Sequence, residues 1–215
     1  MAESVIDDGG EFCSLVTARN VGRRGASLPL LVALHARGGD AASELERVRR
    51  RFGAGPEIVA LGAARPCNPM QSNLRSVPAH AGFSWYLGDD PARPEAASFG
   101  DALAQVEAFV RGVERPFVLV GDEQGAVLAA TLSLFMPDGL VGGHAARLSS
   151  PSIDGWTPPF ARMDGIRFAI EDSCDTSRME TVLEQRGAAV DVRNLQGAGA
   201  LERWLESMST GDARG

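Results

Sequence analysis

The sequence predicts an α/β fold, a doubly wound and mostly parallel sheet with helices on both faces. Three observations predict it. Short apolar runs rich in β-branched residues recur along the chain, at 28–34, 57–61, 117–120, 140–143, 166–170 and 189–192. Each has the length of a strand buried on both faces. Segments with helical spacing of apolar residues alternate with them, which is the rhythm of βαβ units. Finally, PFVLV runs through Gly121-Asp122-Glu123-Gln124-Gly125 straight into a helix of small apolar residues. Strand, G-x-x-x-G, helix forces a close crossing and lifts the middle residue, Glu123, into a strained and exposed position.

The elements follow in order. Residues 1–10 read as a loose acidic lead, and 12–21 as an edge strand. LPLLVAL (28–34) is a buried strand running into the turn His35-Ala36-Arg37-Gly38-Gly39-Asp40. Asp40 is placed to cap the next helix, 41–52, whose apolar positions are Leu45, Val48 and Phe52. Its arginines Arg47, Arg49, Arg50 and Arg51 read as a solvated face. Strand 57–61 follows. Residues 62–97, rich in Pro, Asn, Ser and Gly, form a long irregular segment of the kind used as a lid. Ser98 and Asp101 resemble a capping box for helix 102–113. The central strand and helix come next, then strand 140–143 ending at His144. A second polar loop spans 147–163. Strand 166–170, a capped helix beginning at Ser177, strand 189–192 and a helix over 200–208 complete the chain, with 209–215 frayed. No repeat or linker divides residues 1–215, so one domain is expected.

Composition narrows the function. All 21 basic residues are arginine, which excludes a Schiff-base lysine and a Walker-type phosphate loop. A net charge of −7 argues against a nucleic-acid partner. Cys13, Cys67 and Cys174 are odd in number and widely spaced, with neither disulfide nor metal-ligand pattern. No apolar run reaches the ~20 residues needed to span a membrane, and the acidic start lacks a signal-peptide pattern. The expectation is a cytoplasmic protein with no cofactor, no metal and no membrane partner, acting on a small molecule. A homodimer is left open.

The order of motifs resembles the small phospholipase/carboxylesterase family of the α/β-hydrolase superfamily, which includes acyl-protein thioesterase-like enzymes. LVALHARGGD is similar to that family's strand followed by His-Gly-x-Gly-Gly-Asp. GFSWY is similar to its aromatic Ser-Trp segment, GDEQGAVLA to its Gly-x-Ser-Gln-Gly elbow, and GLVGGHA to its strand ending in Ser-Gly. The resemblance runs from about Leu28 to Leu205 and implies an α/β-hydrolase fold. It also implies that the esterase machinery is degenerate. Glu123 stands where the family has its serine. Gly197-Ala198-Gly199 stands where it has its histidine. Asp172 and Asp175 are both available for the acid. A Ser-His-Asp mechanism is thereby excluded by residue type. The family's oxyanion hole of backbone N–H groups would here belong to Arg37 and Gln124.

Three roles for Glu123 remain open. As a general acid/base beneath two backbone donors, it would suit isomerase, lyase or cyclase chemistry on a carbonyl-, ester- or epoxide-containing metabolite, in a setting such as biosynthesis. His144, at the end of the neighbouring strand, is its candidate partner. As a carboxylate nucleophile, Glu123 would need a histidine to activate water. As a residue of a non-catalytic pseudo-esterase, it would merely satisfy buried donors. His35, His80 and Trp85 are candidates to line the substrate site. His35 also reads as a structural hydrogen-bonding residue, and Trp85 as one that packs its loop.

Overall fold

The computed structural model describes residues 16–21, 28–67, 82–88, 90–135, 137–149, 162–171, 177–192 and 200–209. Its centre is a seven-stranded sheet in the order β1-β3-β2-β6-β7-β8-β9. Those strands are β1 (Val16–Asn20), β2 (Leu30–Leu34), β3 (Ile58–Gly62), β6 (Phe117–Asp122), β7 (Leu140–Ala146), β8 (Arg167–Glu171) and β9 (Ala189–Val192). All neighbours run parallel except β1, which pairs antiparallel with β3 at the edge. A two-stranded ribbon, β4 (Arg65–Pro66) and β5 (Phe83–Ser84), lies apart from the sheet.

Period-2 alternation divides the apolar residues between two cores. On one face Leu30, Val32, Leu34, Phe117, Leu119 and Phe168 meet α2 (Ala96–Arg111), α3 (Gln124–Ser133) and α4 (Ser177–Gln185). On the other face Leu31, Ala33, Val118, Val120 and Ala169 meet α1 (Ala41–Phe52) and α5 (Ala200–Ser209). Helices on both faces explain why β2, β3 and β6 are buried at every position. Among the described residues no helix is long and apolar enough to cross a membrane.

Most expected elements form, with instructive shifts. Asp40 caps α1 by accepting from the Ser43 N–H at 2.8 Å. Helix α2 begins earlier than expected, because Glu95 is its cap. Glu95 Oε2 accepts from the Ser98 N–H at 2.8 Å, and Ser98 Oγ turns to receive the Leu87 N–H at 3.0 Å. Strand β7 continues past His144 to Ala146. Segment 62–97, expected to be irregular, contains the ribbon and strapping contacts to the turn after β2. Gly38 N–H donates to Phe83 O at 2.8 Å and Phe83 N–H to Gly39 O at 2.9 Å.

Candidate active site

The central crossing is as tight as the glycines suggest. A methyl group on Gly121 would lie 2.2 Å from the Gly125 carbonyl oxygen, and one on Gly125 would lie 2.2 Å from that of Leu34. No side chain fits at either position, so α3 leaves β6 directly against β2. The chain turns this sharply at one residue. Glu123 has φ 51° and ψ −109°, a left-handed conformation that an L side chain adopts at a cost of about 1–3 kcal/mol. Its N–H is held by Ala146 O at 3.1 Å and its carbonyl receives the Val127 N–H at 3.1 Å. The Glu123 side chain makes no capping bond to α3. It stands half-buried at the C-terminal edge of the sheet, over the positive end of the α3 dipole.

That geometry, an elbow at the C-terminal end of a central parallel strand facing the turn after β2, decides the fold. It is an α/β-hydrolase fold. Solved structures agree. A carboxylesterase from Mesorhizobium loti superposes with TM-score 0.65 at 21% identity, covering 94% of this chain and 98% of that one. A Bacillus cereus carboxylesterase gives 0.67 at 14% identity, over 90% and 93% of the two chains. A phospholipase/carboxylesterase from Dyadobacter fermentans DSM 18053 gives 0.56 at 16% identity, over 90% and 95%. No protein-family model matches the sequence, and no curated protein matches it.

Within this α/β-hydrolase fold, Glu123 stands between the Arg37 turn and the start of α3. The amide and guanidinium of Arg37 lie close enough to favour the ionised form of the Glu123 carboxyl. Gln124 is the first residue of α3, so its backbone N–H has no intrahelical acceptor and lies at the elbow. Burial pushes the Glu123 carboxyl above the usual glutamate range. The nearby Arg147 charge pulls it down, Asp122 pushes it up, and the Arg37 amide and guanidinium pull it down, and burial prevails. Tyr86 feels the same carboxylate: burial first, then the Glu123 and Asp90 charges, raise its phenol.

The remaining expected site residues are placed otherwise. His35 is a structural brace, as one reading of it held, and presents no free nitrogen to a substrate. Its Nε2 accepts from the Ala63 N–H at 3.0 Å and its Nδ1 sits 2.7 Å from Ala36 O, which fixes a neutral tautomer. Burial lowers its pKa. Trp85 is buried too, with Nε1 donating to His35 O at 2.9 Å. Gln124 locks this layer to α3: its Oε1 accepts from the Trp85 N–H and its Nε2 donates to Tyr86 O, both at 3.1 Å. Trp85 and His35 thus brace the layer beside the Arg37 turn, with their ring nitrogens already bonded.

His144 does not partner Glu123. Alternation along β7 points it to the α1/α5 face, where it is fully buried edge-on to Phe52 and Trp204. Its nearest acid is Glu171, with Nε2 and Oε1 3.4 Å apart, and Glu171 is itself paired with Arg51. Burial, with the Arg51 and Arg47 charges, drives the imidazole pKa down to about 3. His80, Asp172 and Asp175 lie outside the described residues. Among those described, no three His, Cys, Asp or Glu side chains are grouped to hold a metal ion.

The structure adds a charged network that the sequence reading took for solvated helix surface. Arg47 and Arg51 turn inward, while Arg49 and Arg50 stay exposed. Arg47 grips the buried Glu44 at 2.6 and 2.8 Å and lies 3.7 Å from Asp122. Asp122 in turn accepts from Arg147 Nε at 2.7 Å. Positions 44, 47 and 51 flank the apolar stripe at 45, 48 and 52, and that spacing is the signal that could have found them.

Proposed function

We propose that the protein is an α/β-hydrolase-fold enzyme that uses Glu123 as a general acid/base on a small carbonyl-, ester- or epoxide-containing metabolite, with isomerase, lyase or cyclase chemistry. The observation that carries this reading is the strained backbone at Glu123. An elbow with no chemical duty would shed about 1–3 kcal/mol of strain by placing glycine there. Here a titratable side chain occupies it, and its surroundings raise its pKa toward the range where a carboxyl both accepts and returns protons.

The geometry supports a sequence of events. In the free protein the Arg37 turn favours the ionised form of the Glu123 carboxyl. A substrate oxygen entering the site accepts from the Arg37 and Gln124 N–H groups. With the Arg37 N–H turned to the substrate, the carboxylate loses a neighbour that favours its charge, so its basicity rises beside the substrate. Proton abstraction from the adjacent carbon places negative charge on the oxygen held by the two amides and the α3 N-terminus. Microscopic reversal returns the proton. A covalent Glu123 ester would need a histidine to activate water for its hydrolysis; His35 and His144 are not free for that, and His80 lies outside the described residues.

One observation favours a second reading. The closeness of the Glu123 carboxyl to the Arg37 turn also suits a carboxylate that plugs a disused oxyanion hole, as in a non-catalytic pseudo-esterase that binds a ligand. A turnover and binding screen of wild type and Glu123→Gln against carbonyl-bearing metabolites separates the two. Gln keeps size and hydrogen bonding but cannot exchange a proton. The enzyme reading expects turnover in wild type that is lost in Glu123→Gln while binding survives. Equal binding with no turnover in either protein supports the pseudo-esterase.

A further inference from the structure

Among the described residues, two outside glycine have a left-handed backbone, and they stand side by side. One is Glu123 and the other is Arg147, also at φ 51°. Asp122 and Ala146, the residues before them, pair across β6 and β7, and Glu123 N–H donates to Ala146 O. Two neighbouring parallel strands thus end on strained, charged residues at the same edge of the sheet. Strain of this kind gathers where a side chain must be aimed.

Arg147 is aimed by its Nε. Asp122 Oδ1 holds that nitrogen at 2.7 Å, and Asp122 is nearly buried and braced from behind by Arg47 and Glu44. The Arg147 N–H is fixed to Glu171 O at 2.9 Å. The two terminal guanidinium nitrogens are left: they make no other hydrogen bond among the described residues, and the side chain is 56% exposed. Glu123 senses the Arg147 charge but forms no ion pair with it. A guanidinium held at Nε presents its two ends as a fork that matches a planar carboxylate.

Resting on the acid/base reading of Glu123, we propose that Arg147 is the substrate-recognition residue of the site and that it takes a carboxylate, so the metabolite is a small carboxylic acid. The network Glu44–Arg47–Asp122 exists to hold that fork beside the elbow. Occupation by a substrate carboxylate also turns the Arg147 charge away from Glu123. The elbow carboxyl then loses a neighbour that favoured its ionised form, and proton uptake becomes easier once the substrate is seated.

Calorimetric titration of the whole chain with succinate, its neutral dimethyl ester and inorganic phosphate tests this. The proteins are wild type, Glu123→Gln, Arg147→Gln and the double variant Asp122→Asn/Arg147→Gln. The double variant removes the carboxylate that the single change would orphan, so one soluble Arg147 variant is secured. Wild type and Glu123→Gln are expected to bind succinate, and both Arg147 variants to bind it at least about tenfold more weakly, the loss of one charged bidentate contact. The dimethyl ester should not distinguish the proteins. Equal succinate affinity with and without Arg147, or no succinate binding by wild type, overturns the proposal. Phosphate binding through Arg147 more tightly than succinate overturns the carboxylate assignment. The assay reads affinity, which Glu123→Gln retains, so its failure is separable from a failure of the acid/base reading, which turnover decides.

Discussion

Lowering the pH should destabilise the protein through His144. Its ring is fully buried against Phe52 and Trp204, with neither nitrogen hydrogen-bonded. Its folded pKa is about 3, against 6.5 for a free imidazole, because burial and the Arg51 and Arg47 charges oppose protonation. Between those values the unfolded chain binds a proton that the native state refuses, so stability is present above the unfolded pKa and is lost as pH falls below it. Taking the two pKa values, the loss between pH 7 and pH 5 comes to about 2 kcal/mol. Glu44 and Glu123 have raised pKa values and act in the opposite direction, so wild type alone does not isolate the term. The difference between wild type and His144→Leu does. Leucine fills an apolar site of similar size and leaves no ring nitrogen to protonate. Urea denaturation at both pH values should show wild type losing about 2 kcal/mol more than His144→Leu. Parallel pH dependence in the two proteins would refute the burial argument. The same variant should keep whatever activity the protein has, since His144 faces away from the elbow.

Further outcomes follow from the same geometry. Gly125→Ala puts a methyl group 2.2 Å from Leu34 O, which is backbone and cannot yield cheaply. Urea unfolding should show a loss of about 3 kcal/mol or more, or no soluble protein. Gln124→Leu orphans the Trp85 N–H and the Tyr86 carbonyl that its side chain satisfies. Its cost should be about 2–4 kcal/mol by the same assay, with faster proteolysis near residues 82–88. Carbon-13 titration of the Glu123 carboxyl should give a midpoint above that of ordinary glutamates. Arg147→Gln should move it higher, because the Arg147 charge holds it down. A midpoint lowered by that substitution would contradict the electrostatic assignment.

The fold was legible because it rests on patterns that local chemistry writes directly. Apolar runs such as Leu30–Leu34 show burial on both faces. Gly121 and Gly125 declare the elbow because no other residue fits. What failed was side-chain direction. His144 stands on the strand beside the elbow, but β7 alternation sends it to the α1/α5 face, and a register one residue different would have sent it the other way. The start of α2 is expected at Ser98 because Ser is a common cap, but Glu95 caps the amides of Ala97 and Ser98 one turn earlier. Arg47 and Arg51 read as solvent-facing because arginine usually is. Their acidic partners Glu44, Asp122 and Glu171 come together only when α1, packed on β1, β2 and β3, reaches the ends of β6 and β8 with its arginines.

The central claim is that the Glu123 carboxyl moves a proton to and from carbon. Solvent deuterium exchange into carbonyl-bearing acids, followed by proton NMR, reads that step without requiring the product to be known. Wild type is expected to catalyse incorporation at the carbon next to the carbonyl of at least one such acid, and Glu123→Gln to lose about a hundredfold or more of that rate while still binding the compound. Exchange at the same rate in wild type and Glu123→Gln, or exchange in neither despite equal binding, would contradict it.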